Sequence, residues 1–177
     1  GKFVYKEFMF RALWNILKSN VSFLGGLFFT FAPIGAMGAL FAYLKVPTLV
    51  TEFFLSITSN ANLIFLMIFG LMIIVGMLMQ STPAILLFSP ILMQVATTVG
   101  INEVHFGVFM VVALALGFVT PPVAMNLFVA QTMTGINIVH ITRKAWPFII
   151  ALIAATLIIM YVPQITLLPL RLLGIAY

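Results

Sequence analysis

The sequence predicts an all-α polytopic membrane protein, and three observations carry that prediction. Its 177 residues are 64% hydrophobic and only 6% charged, with a mean hydropathy of +1.27, which no soluble domain of this size would show. Its apolar runs are far longer than the strands of a membrane barrel. The in–out alternation of such a barrel is also absent, which leaves helices. The same composition narrows function. No cysteine is present, so neither disulfide nor thiolate-metal chemistry is available. The net charge of +5 comes from scattered basic residues without a basic-aromatic patch, so it reflects topology and not a nucleic-acid partner. No carboxylate pair, Cys/His cluster, nucleophile–base pair or phosphate-binding glycine loop occurs, which argues against an enzyme and against transport driven by ATP.

Residues 1–19 alternate Lys2, Lys6, Arg11 and Lys18 with Phe3, Phe8, Phe10, Leu13, Trp14, Ile16 and Leu17, the pattern of a basic amphipathic helix lying in the membrane interface. They lack the features of a cleaved leader, and a start at Gly1 suggests a piece of something longer. A transmembrane helix follows over 20–45, with Gly25, Gly26, Gly35, Ala36 and Gly38 for close packing, a kink at Pro33 and a stop at Lys45-Val46-Pro47. Residues 46–59 are too short to span and read as an extracytoplasmic connection. Two apolar arms fill 60–99, from Asn62 to Met79 and from Pro83 to Val99, joined only by Gln80-Ser81-Thr82. Two ordinary spans would show a more polar loop, so a re-entrant helical hairpin is the preferred reading. Residues 104–134 read as a broken transmembrane helix, 136–146 as a cytoplasmic amphipathic arm, and 147–169 as a last span kinked at Pro163.

The break, at 120–122 within GFVTPPVAMNLF, organises the rest. Pro121 and Pro122 each remove a backbone donor and disfavour helix in the residue before them. Such a break survives in a bilayer only where freed backbone lines a cavity or is buried in protein. Secondary transporters hold a cation and an anionic substrate with this construction, although a structural kink has the same signature. Charge fixes the sides. Lys2, Lys6, Arg11, Lys18, Arg143 and Lys144 share one face, and Lys45 and Arg171 face the other with Glu52 and Glu103. That bias puts both amphipathic arms in the cytoplasm and the hairpin mouth outside.

These stretches resemble the large membrane (M) subunit of tripartite ATP-independent periplasmic (TRAP) transporters. The resemblance runs through GMLMQSTPAILLFSPIL (Gly76 to Leu92), GINEVHFGVFMV (Gly100 to Val111), GFVTPPVAMNLFVA (Gly117 to Ala130) and WPFIIALIAATLIIMYVP (Trp146 to Pro163). It implies the ion transporter superfamily and one inverted-repeat half of an elevator-type carrier, specifically the C-terminal repeat. The implied function is sodium-coupled import of an organic acid, a C4-dicarboxylate, sialic acid or similar carboxylate, across the bacterial inner membrane. Its implied partners are the N-terminal repeat, a small membrane (Q) subunit, a periplasmic substrate-binding protein and the lipid bilayer. A structural fragment without transport of its own, or a superfamily carrier that needs no binding protein, are the alternatives. Four positions depart from the family pattern: Gln80 stands for a usual Asp, Gln94 for Pro, Ala113 for Asn and Ala124 for Gly. The first and third remove a charge and an amide from the interior, which bears on substrate class and coupling strength.

Sodium wants several oxygens, and unwound carbonyls with a hydroxyl supply them without charge. Gly76, Gly117, Thr120 and Val123 are the candidate ligands, with packing glycines as the plain alternative. Ser81 and Thr82, next to Pro83 at a helix start, are candidates to meet a substrate carboxylate, or simply N-cap the helix. Asn126 on the second half-helix is a third candidate contact. No metal beyond sodium and no organic cofactor is expected. His105 beside Glu103 reads as a surface histidine, and His140 with Arg143 and Lys144 as headgroup contacts.

Overall fold

In the computed structural model the described residues, 10–121 and 124–174, form helices and no strand. They are α1 (Phe10–Tyr43), α2 (Val46–Ile57), α3 (Ala61–Leu78), α4 (Ser81–Thr98), α5 (Glu103–Gly117), α6 (Met125–Thr134), α7 (Ile138–Tyr161) and α8 (Gln164–Leu172). Stretches within α1 (Leu24–Tyr43) and the whole of α3, α4 and α7 are long and apolar enough to cross a membrane. Phe28, Phe29, Met37 and Leu40 on α1 and Phe148, Ile150 and Leu152 on α7 lie exposed, which water would penalise and hydrocarbon would not.

The core is the pairing of α3 with α5. Apolar side chains recur at helical spacing on each: Ile64, Phe65, Ile68, Phe69 and Met72 on α3, and Phe106, Phe109, Met110, Ala113 and Leu114 on α5, all buried. Phe65 meets Phe109 edge-on with ring centroids 4.4 Å apart, and also faces His105 and Phe106. Twelve residues along α5, Gly117 lies against Gly76 of α3. The two helices therefore run in the same direction, side by side. α4 folds back between them and α2, burying Ala84, Leu92, Val95 and Ala96. α7 packs on both α5 and α6. At the end where α3 and α5 begin, Asn62, Gly100, Ile101, Asn102, His105 and Tyr161 line one 250 Å³ pocket, so α4 ends and α7 ends there too.

Helix boundaries differ from the expected ones at four places. The expected arm and span at the N-terminus are one continuous helix, because Lys18-Ser19-Asn20 contains no Pro or Gly to stop it. At 1.5 Å per residue α1 extends about 51 Å, well beyond the roughly 30 Å of a hydrocarbon core, so an interfacial portion and a span fit on one rod. The expected connection 46–59 is mostly α2, started by left-handed Lys45 (φ 55°) and Pro47 in its first turn. The second arm and last span are likewise continuous, with Pro147 inside α7. Pro163 divides instead of kinking: α7 stops at Tyr161, and α8 begins afresh after it.

Candidate functional site

Two helices end and two begin at one place. α3 reaches Leu78 and the chain turns extended at Met79 (φ −129°, ψ 152°) and Gln80 (φ −65°, ψ 151°). Met79 N–H still reaches the Val75 carbonyl at 2.9 Å, but the carbonyls after Val75 lose their next-turn donors at this bend. α5 ends alongside, at Gly117. The contact is backbone on backbone: a Cβ on Gly117 would sit 2.6 Å from the Gly76 Cα, and one on Gly76 would sit 2.6 Å from the Leu114 carbonyl oxygen. Close approach thus accounts for both glycines, and it also brings two carbonyl-bearing helix ends together.

Thr120 lies just beyond. Its Oγ1 donates to the Leu116 carbonyl at 2.7 Å and its N–H to the Gly117 carbonyl at 3.1 Å. The hydroxyl proton is therefore committed to the backbone, and the oxygen lone pairs remain to face a cation. Gly76 touches Gly117 and Thr120 is hydrogen-bonded to Gly117, whereas Val123 and the second proline of the break lie outside the described residues. Among the described residues no group of three or more His, Asp and Glu is arranged to hold a metal ion, and what Gly76, Gly117 and Thr120 offer is neutral oxygen.

Opposite these carbonyl ends, α4 and α6 start. Neither the Gln80 nor the Ala124 N-cap receives a side-chain capping bond, and helix N-termini carry a positive partial charge. Ala124 is left-handed (φ 43°, ψ 60°), a conformation that costs a residue with a Cβ about 1 kcal/mol and suits the glycine that the resembled family usually carries there. Gln80, Ser81, Thr82, Phe118 and Asn126 line a 220 Å³ pocket between the two starts. All three candidate substrate residues share it, and none of the described residues that line it is charged. Asn126 N–H donates to the Phe118 carbonyl at 3.3 Å, tying the start of α6 to the end of α5. Chemically, this is a neutral site with carbonyl oxygens on one side and amides and hydroxyls on the other. Phe118 was not among the sequence candidates; its place between Gly117 and Thr120 was the available signal.

His105 corrects the reading of a surface histidine. It is 2% exposed, with Nε2 donating to the Met160 carbonyl at 3.1 Å and Nδ1 2.8 Å from Thr166 Oγ1. Asn102 caps α5 at this end, through its side chain to the Val104 and His105 N–H groups. His105 thereby caps the C-terminal end of α7 and bolts the start of α5 to the α7–α8 bend. Replacing it with Phe keeps a ring against Phe65 but leaves the Met160 carbonyl buried without that donor. The expected loss is about 1–3 kcal/mol of stability, read as a lower melting temperature of the purified protein in detergent. Retention of the parent melting temperature would mean the bolt is not stabilising.

Comparison with known proteins adds the last observation. The family model described as "Tripartite ATP-independent periplasmic transporter, DctM component" matches residues 1–165. The isethionate TRAP transporter permease protein DctMQ of Oleidesulfovibrio alaskensis is 34% identical over 165 residues, covering 93% of this chain and 26% of that protein. The C4-dicarboxylate TRAP transporter large permease protein DctM of Rhodobacter capsulatus is 30% identical, covering 97% of this chain and 39% of that one. The sialic acid TRAP transporter large permease protein SiaM of Vibrio cholerae is also 30% identical, over 95% and 39% respectively. The chain thus spans about two fifths or less of the length of these relatives.

Proposed function

This chain belongs to the family of the DctM component of TRAP transporters, and from that premise we propose that it is the permease part of a sodium-coupled importer of an organic acid. The observation that carries the proposal is the meeting of four helix ends. Carbonyls at the ends of α3 and α5, with the Thr120 hydroxyl, suit a sodium ion. The starts of α4 and α6, with Ser81, Thr82 and Asn126, suit an anion. The relatives are named for isethionate, a C4-dicarboxylate and sialic acid, all organic anions, which supports that cargo class.

The position of α6, which continues against α7 past the end of α5, supports the broken-helix reading. His105 ties the start of α5 to Met160 at the end of α7. From His105 to Gly117 is about 18 Å, whereas α7 runs about 33 Å from Met160 back to Ile138, at 1.5 Å per residue. Gly117 thus lies about midway along α7, and α6 continues against α7 beyond it. In this reading the hairpin and broken helix move together as an elevator in the bacterial inner membrane. An N-terminal repeat completes the pocket, a small Q subunit joins the scaffold, and a periplasmic binding protein delivers the cargo.

Replacing Ser81 and Thr82 together with Ala tests the assignment of roles. Sodium-driven uptake of the organic acid by the complete transporter is expected to need about tenfold more substrate for half-saturation, from the loss of hydroxyl donors worth about 1.4 kcal/mol. Direct binding of radiolabelled sodium is expected to stay within about twofold of the parent, since that shift is well under 1 kcal/mol. Equal loss of both in a folded variant would merge the two sites into one.

A further inference from the structure

We infer that Phe118 is the positioning residue through which an occupied cation site shapes the anion pocket; this rests on the function proposed above. The geometry puts it on both sites at once. In sequence it lies between Gly117 and Thr120, two of the candidate cation ligands. It lines the 220 Å³ pocket with Ser81, Thr82 and Asn126, and its carbonyl accepts the Asn126 N–H at 3.3 Å. No other described residue both adjoins a candidate cation ligand in the chain and lines that pocket.

The two flanks of Phe118 differ in freedom. Gly117 is pinned, because its backbone lies against Gly76 with no room for even a methyl group. Among the described residues Thr120 is hydrogen-bonded to the Leu116 and Gly117 carbonyls, and each of those oxygens has a second lone pair. A cation drawing together the Gly117 carbonyl and the Thr120 hydroxyl tightens the turn from its free side. With Gly117 fixed, the peptides on either side of Phe118 take up the adjustment. Their movement carries the aromatic ring and the Asn126 tie into the pocket wall. An empty cation site leaves the turn looser and the wall less defined, which is coupling by a two-state local element.

The absence of native cysteine gives a test that needs no knowledge of the substrate. In the complete transporter, Thr82→Cys places a lone thiol of this chain on the pocket, and a negatively charged methanethiosulfonate reagent is the probe. Changing potassium for sodium at equal ionic strength is expected to alter the modification rate on the order of tenfold, within the usual range of coupling between sites. Adding Phe118→Ala is expected to reduce that sodium effect to under about twofold while radiolabelled sodium still binds as in the parent. Phe118→Tyr, which keeps the ring, is expected to restore it. A sodium effect that survives Phe118→Ala, or sodium binding lost along with it, overturns the inference. If the parent itself binds no sodium, the sodium-coupled function fails, and the inference with it.

Discussion

Gly117→Ala is expected to be the most damaging single methyl group that can be added to this chain. The new carbon would lie 2.6 Å from the Gly76 Cα, 2.7 Å from its carbonyl carbon and 2.9 Å from the Ile73 carbonyl oxygen, all backbone atoms of a facing helix. No flexible side chain can yield, so α3 and α5 must separate along the whole aromatic interface below. Overpacking in a close-packed core typically costs 1–3 kcal/mol, and this rigid case is expected to reach about 3 kcal/mol or more. Controls sit on the same two helices. An added Cβ at Gly70 or Gly107 meets nothing within 4 Å. Gly70→Ala and Gly107→Ala should therefore be neutral or stabilising, by about 0.5–1 kcal/mol from helix propensity. Melting temperatures in detergent, with uptake by the complete transporter, check the contrast. A Gly117→Ala variant as stable as those two controls would show that α3 and α5 do not touch as described.

Thr120→Val is expected to weaken sodium dependence while leaving the fold intact. The substitution keeps β-branching and removes one oxygen. It also removes the bond from Thr120 to the Leu116 carbonyl, but that carbonyl retains the Val119 N–H at 3.3 Å, so no acceptor is orphaned. Loss of a neutral oxygen from a low-dielectric site is expected to cost on the order of 1–3 kcal/mol. That corresponds to about a tenfold or greater rise in the sodium needed for half-maximal uptake. Thr120→Ser keeps the oxygen and should keep most of the activity. An unchanged sodium dependence in the Val variant would reduce the Thr-Pro-Pro break to a kink and send the cation site elsewhere.

Part of the architecture was legible where extended or glycine- and proline-rich backbone stops a helix. The bend at Gln80 and the break after Gly117 follow from local chemistry, and so does the placing of Ser81, Thr82 and Asn126 near helix starts. Their convergence on one pocket is tertiary, and no local signal records it. The pairing of Gly76 with Gly117 was legible as two candidate ligands but not as a contact, since nothing local records which face of α3 meets which face of α5. His105 was misread for a specific reason. Its neighbour Glu103 and the preceding Gly100-Ile101-Asn102 turn suggested the surface, yet His105 falls on the same helical stripe as Phe106, Phe109 and Ala113. The stripe outweighs the neighbourhood. Pro147 was given too much weight as a boundary, because a proline one turn or more into a helix removes one bond without always ending it.

The neutrality of the site has an electrical consequence. Gln80, Ser81, Thr82, Phe118 and Asn126 around the pocket, and Gly76, Gly117 and Thr120 beside it, bring no formal charge of their own. A carrier built on ionised ligands would have to drag a bare carboxylate or guanidinium through hydrocarbon on its unloaded return, at a cost of several kcal/mol. With only dipoles to carry back, this half of the site would cross empty in the proposed transport cycle with no such charge to shed. The membrane potential then has no purchase on these groups during the return and pulls only on the cargo. With the proposed sodium and anion aboard, their summed charge would set the voltage dependence of this half-site's contribution, about 2.3 kcal/mol per elementary charge per 100 mV.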